Sequence, residues 1–536
     1  MIIVNCHSPI KLDEKGVMTI SKEQVSSWVR NFNPLSPGAN SRWPTEAGIY
    51  EPLFIFNSIT NKTVPWLGTN YTWKLNNRVL EIEIRDNVQW SDGNPFSAFD
   101  VEFTFQLKKD FPALDSRGSW KYLNSVNVID SSLIQFEFSK LFVPGFEAIG
   151  GQPIVPKHIW KNIDDPIKFS NPLPVGTGPF TEIIKFTNQL WELGKNPYYW
   201  KKDKPKINKL RFPAFPTNEQ ATLAIINDEV DWAGNFIPAI DRIYVKKDTL
   251  HHKYWFPKSG GSVFLYLNTT IKPFDNSNVR KAISMAIDRE LIVKVAMYNY
   301  TEPAHQTALS GGLAFWRIPE NEIIENWVDY NPEKSIQILN NEGLIKNNNG
   351  HWENPDGTPI NIKINIVSGW SDWIRAGQII AKNLNEIGFN AKIITAGFGS
   401  WFSDLQTGRF SMAIAWANKG ETPFPMYEGL LASKYVVPVG EVANINWQRF
   451  SNKKMDDLII KFEENSDKVI IYNIINQMQK IFIEYAPAIP LFAEPTWGVY
   501  NTLRFKNFPS KVNPYAQISP NNIPENLFIL TEVIPR

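Results

Sequence analysis

The chain has 536 residues, several times the length of a typical domain, so we expect more than one hydrophobic core. Its 55 Lys and Arg residues nearly balance 54 Asp and Glu residues, which leaves no net field for a polyanion and argues against nucleic acid as a partner. A single Cys excludes an internal disulfide and thiolate metal clusters, and no apolar run approaches the about 20 residues that span a bilayer.

The start of the chain carries no export pattern. Met1 to Ile10 lack the basic and then apolar segment of a secretory signal. Either the protein is cytoplasmic, or the sequence is that of a mature exported chain with an added Met. A lipid anchor at Cys6 is disfavoured, because Asn5 is a poor small residue at that place and no apolar run precedes it.

Two capping boxes mark helices in the first half of the chain. Residues 78–84 alternate apolar and charged side chains, as a half-buried strand does. Ser97 with Asp100 then predicts a helix over about 98–109. Further along, a strand over about 211–215 leads to Thr217 with Gln220, which predicts a helix running to about 227.

The clearest predicted unit lies in the second half. Isoleucines alternate along a strand at 360–366, Ser371 caps a helix that Gly388 ends, and another strand covers 389–395. Two strands joined by a helix of this length predict a parallel crossover. A helix over 401–407 and a third strand over 410–417 follow.

Indole rings are the most unusual feature of the composition, with 20 Trp residues. In open parallel sheets, ligands bind at the carboxyl ends of the strands. The three strands are followed by Trp370, Trp373, Phe398, Trp401, Trp416 and Asn418. A short upstream strand ends similarly on Trp232, with Asn235 close behind. Core packing is the alternative for any one ring, but the placement of the set favours a ligand site.

Enzyme and metal motifs are not evident. The six His residues are scattered without metal-ligand spacing, and the sequence contains no nucleophile elbow, zinc-protease motif or P-loop. In the glycine-rich segment 176–179, Pro179 removes a backbone donor that a phosphate would need. A pair of carboxylates for glycoside hydrolysis stays open as an alternative, although no spacing singles one out.

Several segments, in order, resemble family 5 of the extracellular solute-binding proteins of ABC transporters, from about Asn33 to Phe492. This group includes oligopeptide-, dipeptide-, nickel- and cello-oligosaccharide-binding proteins. The similar stretches are Asn87–Val101, Val175–Phe180, Asn196–Trp200, Tyr330–Lys334 and, most specifically, Val279–Arg289, whose Val-Arg-Lys-Ala-Ile-Ser-Met-Ala-Ile-Asp-Arg is close to the family pattern.

The resemblance implies an α/β fold of the type II periplasmic-binding-protein class, with two lobes, a hinge and an additional inserted domain. The order of the motifs places domain I at 1–50, 175–267 and 500–536, domain II at 51–174, and domain III at 268–499. The chain is expected to cross between the lobes near 259–261 and 497–498, and hinge closure there would enclose a ligand.

The resemblance further implies how such a protein works. It would be a monomer in the periplasm or at the cell surface that needs no cofactor and catalyses no reaction. Its partner would be the membrane permease of an ABC transporter, to which it delivers the captured ligand.

The ligand prediction rests on one departure from the family. Peptide-binding members carry an Asp shortly after the position of Trp416, and that carboxylate pairs with the peptide ammonium. Here Asn418 and Lys419 follow instead, and a buried ammonium without a partner charge is costly. Sugars need no such charge, and their C–H faces stack on indole.

We therefore predict an oligosaccharide ligand, a β-linked gluco- or manno-oligosaccharide, with an oligopeptide as the alternative and a carbohydrate-active enzyme as a lesser one. The predicted ligand-binding residues are Trp373, Trp401, Trp416 and Asn418 from domain III, and Trp232, Asn235, Asn40, Arg42 and Trp43 from domain I. Trp401 and Trp416 match family positions that line the pocket.

Overall fold

The computed structural model describes residues 16–22, 24–36, 48–115, 118–323 and 325–536. Within these ranges, the strands form three larger sheets and three two-stranded ones. The two largest sheets define the lobes, and the third defines an inserted domain. This arrangement agrees with the predicted two-lobed α/β class.

The first lobe is built on a seven-stranded mixed sheet. In spatial order its strands are His252–Tyr254, Val499–Asn501, Trp232–Ala233, Val17–Ser21, Lys209–Pro213, Leu190–Lys195 and Phe180–Phe186. The central strand Val17–Ser21 pairs in parallel with both of its neighbours, and it is buried along its whole length. Segments distant in sequence therefore meet in one sheet, as a discontinuous domain requires.

The second lobe is built on a five-stranded sheet, in the order Asn390–Ala396, Asn361–Val367, Met412–Ala415, Lys258–Leu267 and Ile489–Pro495. The predicted crossover is confirmed, because Asn361–Val367 pairs in parallel with Asn390–Ala396 and with Met412–Ala415. One predicted boundary changes. Strand Lys258–Leu267 pairs with Met412–Ala415 and Ile489–Pro495, so the domain I segment ends near 257 and not at 267.

The inserted domain carries a four-stranded antiparallel sheet, in the order Gly68–Lys74, Val79–Ile84, Leu133–Phe138 and Leu123–Asp130. A hairpin of Phe54–Asn57 and Lys62–Pro65 precedes it. Helix Ala98–Asp110 covers the sheet and begins as predicted, with the Ser97 amide donating to the Asp100 carboxylate at 3.0 Å. The remaining paired strands are Ile345–Lys346 with Trp352–Glu353, and Phe505–Lys506 with Ile534–Pro535.

Helices surround the sheets. The α-helices other than Ala98–Asp110 are Gly145–Gly150, Lys157–Trp160, Asn218–Ile226, Ile240–Ile243, Ser277–Met285, Arg289–Leu291, Pro332–Asn341, Ser371–Glu386, Phe398–Thr407, Phe424–Leu431, Lys453–Glu463, Lys468–Tyr485 and Asn526–Glu532. The short 3-10 and π segments are Pro112–Leu114, Ser119–Lys121, Val245–Lys247, Ile292–Ala296, Gly311–Trp316, Glu320–Glu322 and Ser433–Tyr435. Among the described residues, no helix is long and apolar enough to cross a bilayer.

Two predicted helix starts are displaced. The N-cap of helix Ser371–Glu386 is Trp370, so the prediction of Ser371 as the cap is wrong. The Ser371 hydroxyl is the acceptor for the side-chain amide of Asn218 in the first lobe. The helix predicted from 401 already begins at Phe398, directly after Gly397.

The two chain crossings between the lobes run side by side. The Trp255 amide donates to the Gly498 carbonyl at 2.8 Å, and the Thr496 amide donates to the Pro257 carbonyl at 2.8 Å. These bonds tie two short connectors between the large sheets. Such paired connectors absorb the rotation when two lobes close on a ligand.

Candidate ligand-binding cleft

A cavity of about 320 Å³ lies between the two lobes. The connector Pro495–Thr496–Trp497 lines the cavity, and both lobes supply further lining residues. A volume of this order falls within the range that small-molecule pockets occupy, roughly 300 to 1,000 Å³. We call it the interlobe cleft.

Aromatic rings form the wall on the second lobe. Trp370 and Trp373 follow strand Asn361–Val367, Trp416 follows strand Met412–Ala415, and all three face the cleft. The ring centroids of Trp370 and Trp373 lie 4.8 Å apart in an edge-on contact, and that of Trp416 lies 6.4 Å from Trp370. Parallel pairing brings these strand ends to one edge of the sheet, which explains why rings distant in sequence meet.

The opposite wall is polar and includes side-chain amides. Gln24, Asn218, Gln517, Asn521 and Asn522 line the cleft from the first lobe. Two further rings complete the site, since Phe236 and the connector residue Trp497 pack edge-on with centroids 5.3 Å apart. The cleft therefore sets stacking surfaces against hydrogen-bonding groups.

Two polar atoms of residues that line the cleft are unsatisfied. The indole N–H of Trp370 and the amide oxygen of Asn521 are buried, and neither has a hydrogen-bond partner among the described residues. The Asn521 amide nitrogen donates to the Lys22 carbonyl at 2.8 Å, which fixes the orientation of that side chain. A buried group without a partner costs about 1 to 3 kcal/mol, and neither atom is exposed to the cavity in this arrangement of the lobes.

The charged groups that line the cleft are Asp372, Lys419 and Glu494. Lys419 Nζ lies 2.7 Å from Glu494 Oε2, which also accepts a hydrogen bond from Ser259 Oγ at 3.1 Å. Asp372 is 4% exposed, and burial raises its pKa to about 6. The exposed charge in the cleft is thus a neutral ion pair.

A second cavity of about 290 Å³ adjoins the first. The two share Lys419, Gln517 and Asn522 as lining residues. The second cavity extends between the second lobe and the inserted domain, where Phe54 and Phe146 form part of its wall. Together the cavities form an elongated site.

The lobes are in direct contact beside the cleft. The Asn218 backbone amide donates to the Gly369 carbonyl at 3.1 Å, and its side-chain amide donates to Ser371 Oγ at 3.3 Å. Gly369 has a φ of +87°, and a Cβ placed there would lie 2.7 Å from the Pro216 carbonyl oxygen of the first lobe. A glycine is needed here both for its backbone conformation and for the close approach.

The predicted residues of the second lobe divide into three groups. Trp373 and Trp416 line the cleft. Trp401 lies behind them, 1% exposed, with its ring centroid 5.4 Å from that of Trp416. Asn418 is exposed and lies outside the set of residues that line the described cavities.

The predicted residues of the first lobe lie deeper. Trp232 is packed in the lobe core, where its indole N–H donates to the Ile518 carbonyl at 2.6 Å. Asn235 is also buried, and its side-chain oxygen accepts a hydrogen bond from Ser21. Its neighbours Gly234 and Phe236 line the cleft instead. Asn40, Arg42 and Trp43 lie outside the described residues.

Sequence reasoning missed the polar half of the site. Asn521 and Asn522 belong to an irregular C-terminal segment with no strand-end signal. Glu494 lies near the end of strand Ile489–Pro495, three residues before the predicted crossing at Trp497, and that proximity was the available clue. In the described residues, no group of three His, Cys, Asp or Glu side chains is arranged to hold a metal ion.

Comparison with known proteins gives three kinds of match. The sequence model of the bacterial extracellular solute-binding proteins, family 5, matches residues 62–435. A nickel-binding periplasmic protein of Escherichia coli is 22% identical over 73% of this chain and 74% of its own length. A dipeptide-binding protein of Bacillus subtilis is 21% identical over 94% of this chain and 90% of its own length.

Solved structures share the fold over nearly the whole chain. A periplasmic oligopeptide-binding protein of Thermotoga maritima, bound to mannohexaose, superposes with a TM-score of 0.90 at 24% identity, covering 98% of this chain and 99% of that one. An oligopeptide-binding protein of Bacillus subtilis in complex with a nonapeptide gives 0.82 at 19% identity, covering 97% and 99%.

The matched region contains the four-stranded sheet of the inserted domain and four of the five strands of the second-lobe sheet. Members of this family act as binding components of ABC transporters and not as enzymes. The chain therefore belongs to family 5 of the bacterial extracellular solute-binding proteins, and it has the two-lobed fold of that group.

Proposed function

We propose that this protein captures a neutral oligosaccharide, a β-linked gluco- or manno-oligosaccharide, in the interlobe cleft. The observation that carries the proposal is that indole rings and side-chain amides line the same cleft. Trp370, Trp373 and Trp416 offer the rings, and the amides of Gln24, Gln517 and Asn522 line the facing wall.

A sugar hydroxyl matches this chemistry because it donates and accepts at once. Pyranose rings also carry apolar C–H faces that stack on indole. The Lys419–Glu494 pair adds further donors and acceptors without net charge. A neutral polyhydroxylated ligand bonds to such polar groups without burying an unpaired charge.

Stacking of sugar rings on the indoles adds to these polar contacts. Apolar surface removed from water contributes roughly 25 cal/mol/Å², so each part of an indole face that a pyranose ring covers strengthens binding.

The elongated site favours an oligomer over a single sugar. The second cavity continues the first past Lys419, Gln517 and Asn522. The Thermotoga maritima protein with the same fold was crystallised with a six-unit sugar. We infer that this protein acts outside the cytoplasm as a monomer and delivers its oligosaccharide to an ABC transporter permease.

A titration tests the proposal. The purified protein is titrated with β-linked gluco- and manno-oligosaccharides of two to six units, and separately with mixed tri- to pentapeptides, while Trp fluorescence is followed. We expect a saturable change with sugars and none with peptides. Saturation by peptides alone would replace the proposal with peptide uptake.

The alternative ligand is an oligopeptide. It is favoured by the names of several relatives, among them a dipeptide-binding and an oligopeptide-binding protein of Bacillus subtilis. Two carboxylates, Asp372 and Glu494, also line the cleft. Against it stands the ion pair, since Lys419 already neutralises the more exposed carboxylate.

A further inference from the structure

The ion pair in the interlobe cleft joins two segments that lie far apart in the chain. Glu494 belongs to strand Ile489–Pro495, and Lys419 follows strand Met412–Ala415. The Lys419 ammonium approaches Glu494 Oε2 to 2.7 Å, and Ser259 Oγ donates to the same oxygen at 3.1 Å. The pair therefore lies on the second-lobe wall, where the two cavities meet at Lys419.

Both members of the pair are accessible to a ligand. The Lys419 side chain is 39% exposed and that of Glu494 is 19% exposed. Lys419 lines both cavities, so a ligand that extends from one to the other passes beside it. The third charged group, Asp372, is buried against Asn218 and the backbone of its own helix.

We infer that Lys419 determines the charge selectivity of the cleft, because its ammonium occupies the place at Glu494 that a ligand's ammonium would otherwise take. This inference rests on the proposed function, since it explains how the cleft prefers neutral ligands. It also assigns Glu494 as a latent subsite for a primary ammonium group.

The chemistry of the two side chains supports this assignment. A Lys ammonium is a compact charge with three donors, the same group that an amino sugar or a peptide terminus presents. While Lys419 is in place, a second ammonium would meet a carboxylate that is already neutralised. Without it, Glu494 keeps one donor from Ser259 and gains room for an external cation.

The test compares matched ligands that differ by one ammonium. Wild-type protein, Lys419→Met, Lys419→Gln and the double variant Lys419→Met/Glu494→Gln are titrated with glucosamine oligomers and their N-acetyl forms. A second pair is a trialanine peptide and its N-acetyl form. The measurements are made at pH 6, where the ammonium groups are protonated.

In Lys419→Met we expect the free-ammonium member of at least one pair to bind roughly tenfold to a hundredfold tighter than its acetylated form. The wild-type protein and the double variant should show no such preference. Lys419→Gln should behave like Lys419→Met, which guards against loss of one variant through misfolding. A preference in the double variant as large as in Lys419→Met would overturn the role of Glu494.

The titrations distinguish a failure of the proposed oligosaccharide function from a failure of the Lys419 inference. If wild-type protein binds no neutral oligosaccharide, the proposed function fails while the peptide pair still reports on Lys419. If wild-type protein binds neutral oligosaccharides but neither Lys419 variant gains a preference for an ammonium, only the present inference is wrong.

Discussion

Two Trp residues of the second lobe have different roles, because one side chain lies on the cleft wall and the other is buried in the core. Trp416 is half-buried on the cleft wall. Trp352 is 1% exposed in the same lobe, and its N–H donates to the Ile387 carbonyl at the far end of helix Ser371–Glu386. The cleft adjoins the start of that helix, at Trp370 and Trp373.

Trp416 and Trp352 allow a matched test of which indole binds the ligand. Trp416→Ala should weaken oligosaccharide binding at least tenfold and lower the melting temperature by only a few degrees. Trp352→Ala should leave affinity unchanged and cost about 3 to 5 kcal/mol of stability, as truncation of buried aromatic residues does. Titration with the oligosaccharide measures the affinity of each variant, and thermal unfolding measures its stability. If Trp416→Ala loses stability while its folded fraction keeps full affinity, Trp416 is a core residue.

Glu51 is a buried carboxylate at the junction of the first lobe and the inserted domain. It accepts hydrogen bonds from Trp66 Nε1 at 2.6 Å, Tyr199 OH at 3.0 Å and Trp200 Nε1 at 3.1 Å. Burial outweighs these bonds and raises the pKa of Glu51 to about 7. The folded protein therefore holds a proton there that the unfolded chain releases near pH 4.5.

The raised pKa of Glu51 makes the free energy of unfolding depend on pH. Between pH 4.5 and 7 the folded state binds more protons at Glu51, so the free energy of unfolding decreases as pH rises, by the order of 3 kcal/mol in total. Urea unfolding at pH 5, 6, 7 and 8 should show a steeper decline in wild-type protein than in Glu51→Gln. Equal slopes would mean that Glu51 is ionised throughout.

At the scale of elements, the turn before helix Ser371–Glu386 controls how closely the lobes approach. Gly369 has no room for a Cβ, because Pro216 of the other lobe lies against it. Gly440 has the same left-handed backbone, with a φ of +102°, but a Cβ there would meet nothing within 4 Å. The two glycines differ in surroundings and not in conformation.

Alanine at each position separates backbone strain from obstruction of closure. Both variants should lose about 1 kcal/mol of stability from the left-handed conformation. Only Gly369→Ala should also weaken ligand binding, by about tenfold or more, and keep a larger radius of gyration with ligand present. Small-angle X-ray scattering and titration check this. Equal affinity in both variants would show that the Gly369 contact is not needed for binding.

At the scale of the molecule, the site exists only when the lobes meet. Ligand binds the folded, closed arrangement, so it should stabilise the protein by mass action. At a hundredfold excess over the dissociation constant the gain is about 2.7 kcal/mol. Calorimetry should show a melting temperature a few degrees higher with a bound oligosaccharide, and scattering should show a smaller radius of gyration. No change in either measurement would contradict closure on that ligand.

The sequence by itself determined several of the elements and their order. Alternation at 78–84 and 360–366, the capping box at Ser97, and the crossover that follows the second of these strands depend on local periodicity and turn chemistry, which neighbouring residues specify. For the same reason the strand-end rule located Trp373 and Trp416 on the cleft. Motifs spread along the chain were enough to identify the family.

Only the tertiary structure decided which side chains face the cleft and which are core. Trp232 and Trp401 follow the same local pattern as Trp416, yet packing from other segments covers them. The Lys419–Glu494 pair joins two strands that are not adjacent in sequence, and Asn218 meets Gly369 across the lobes. Such contacts depend on how distant sheets are placed, and no local pattern encodes that placement.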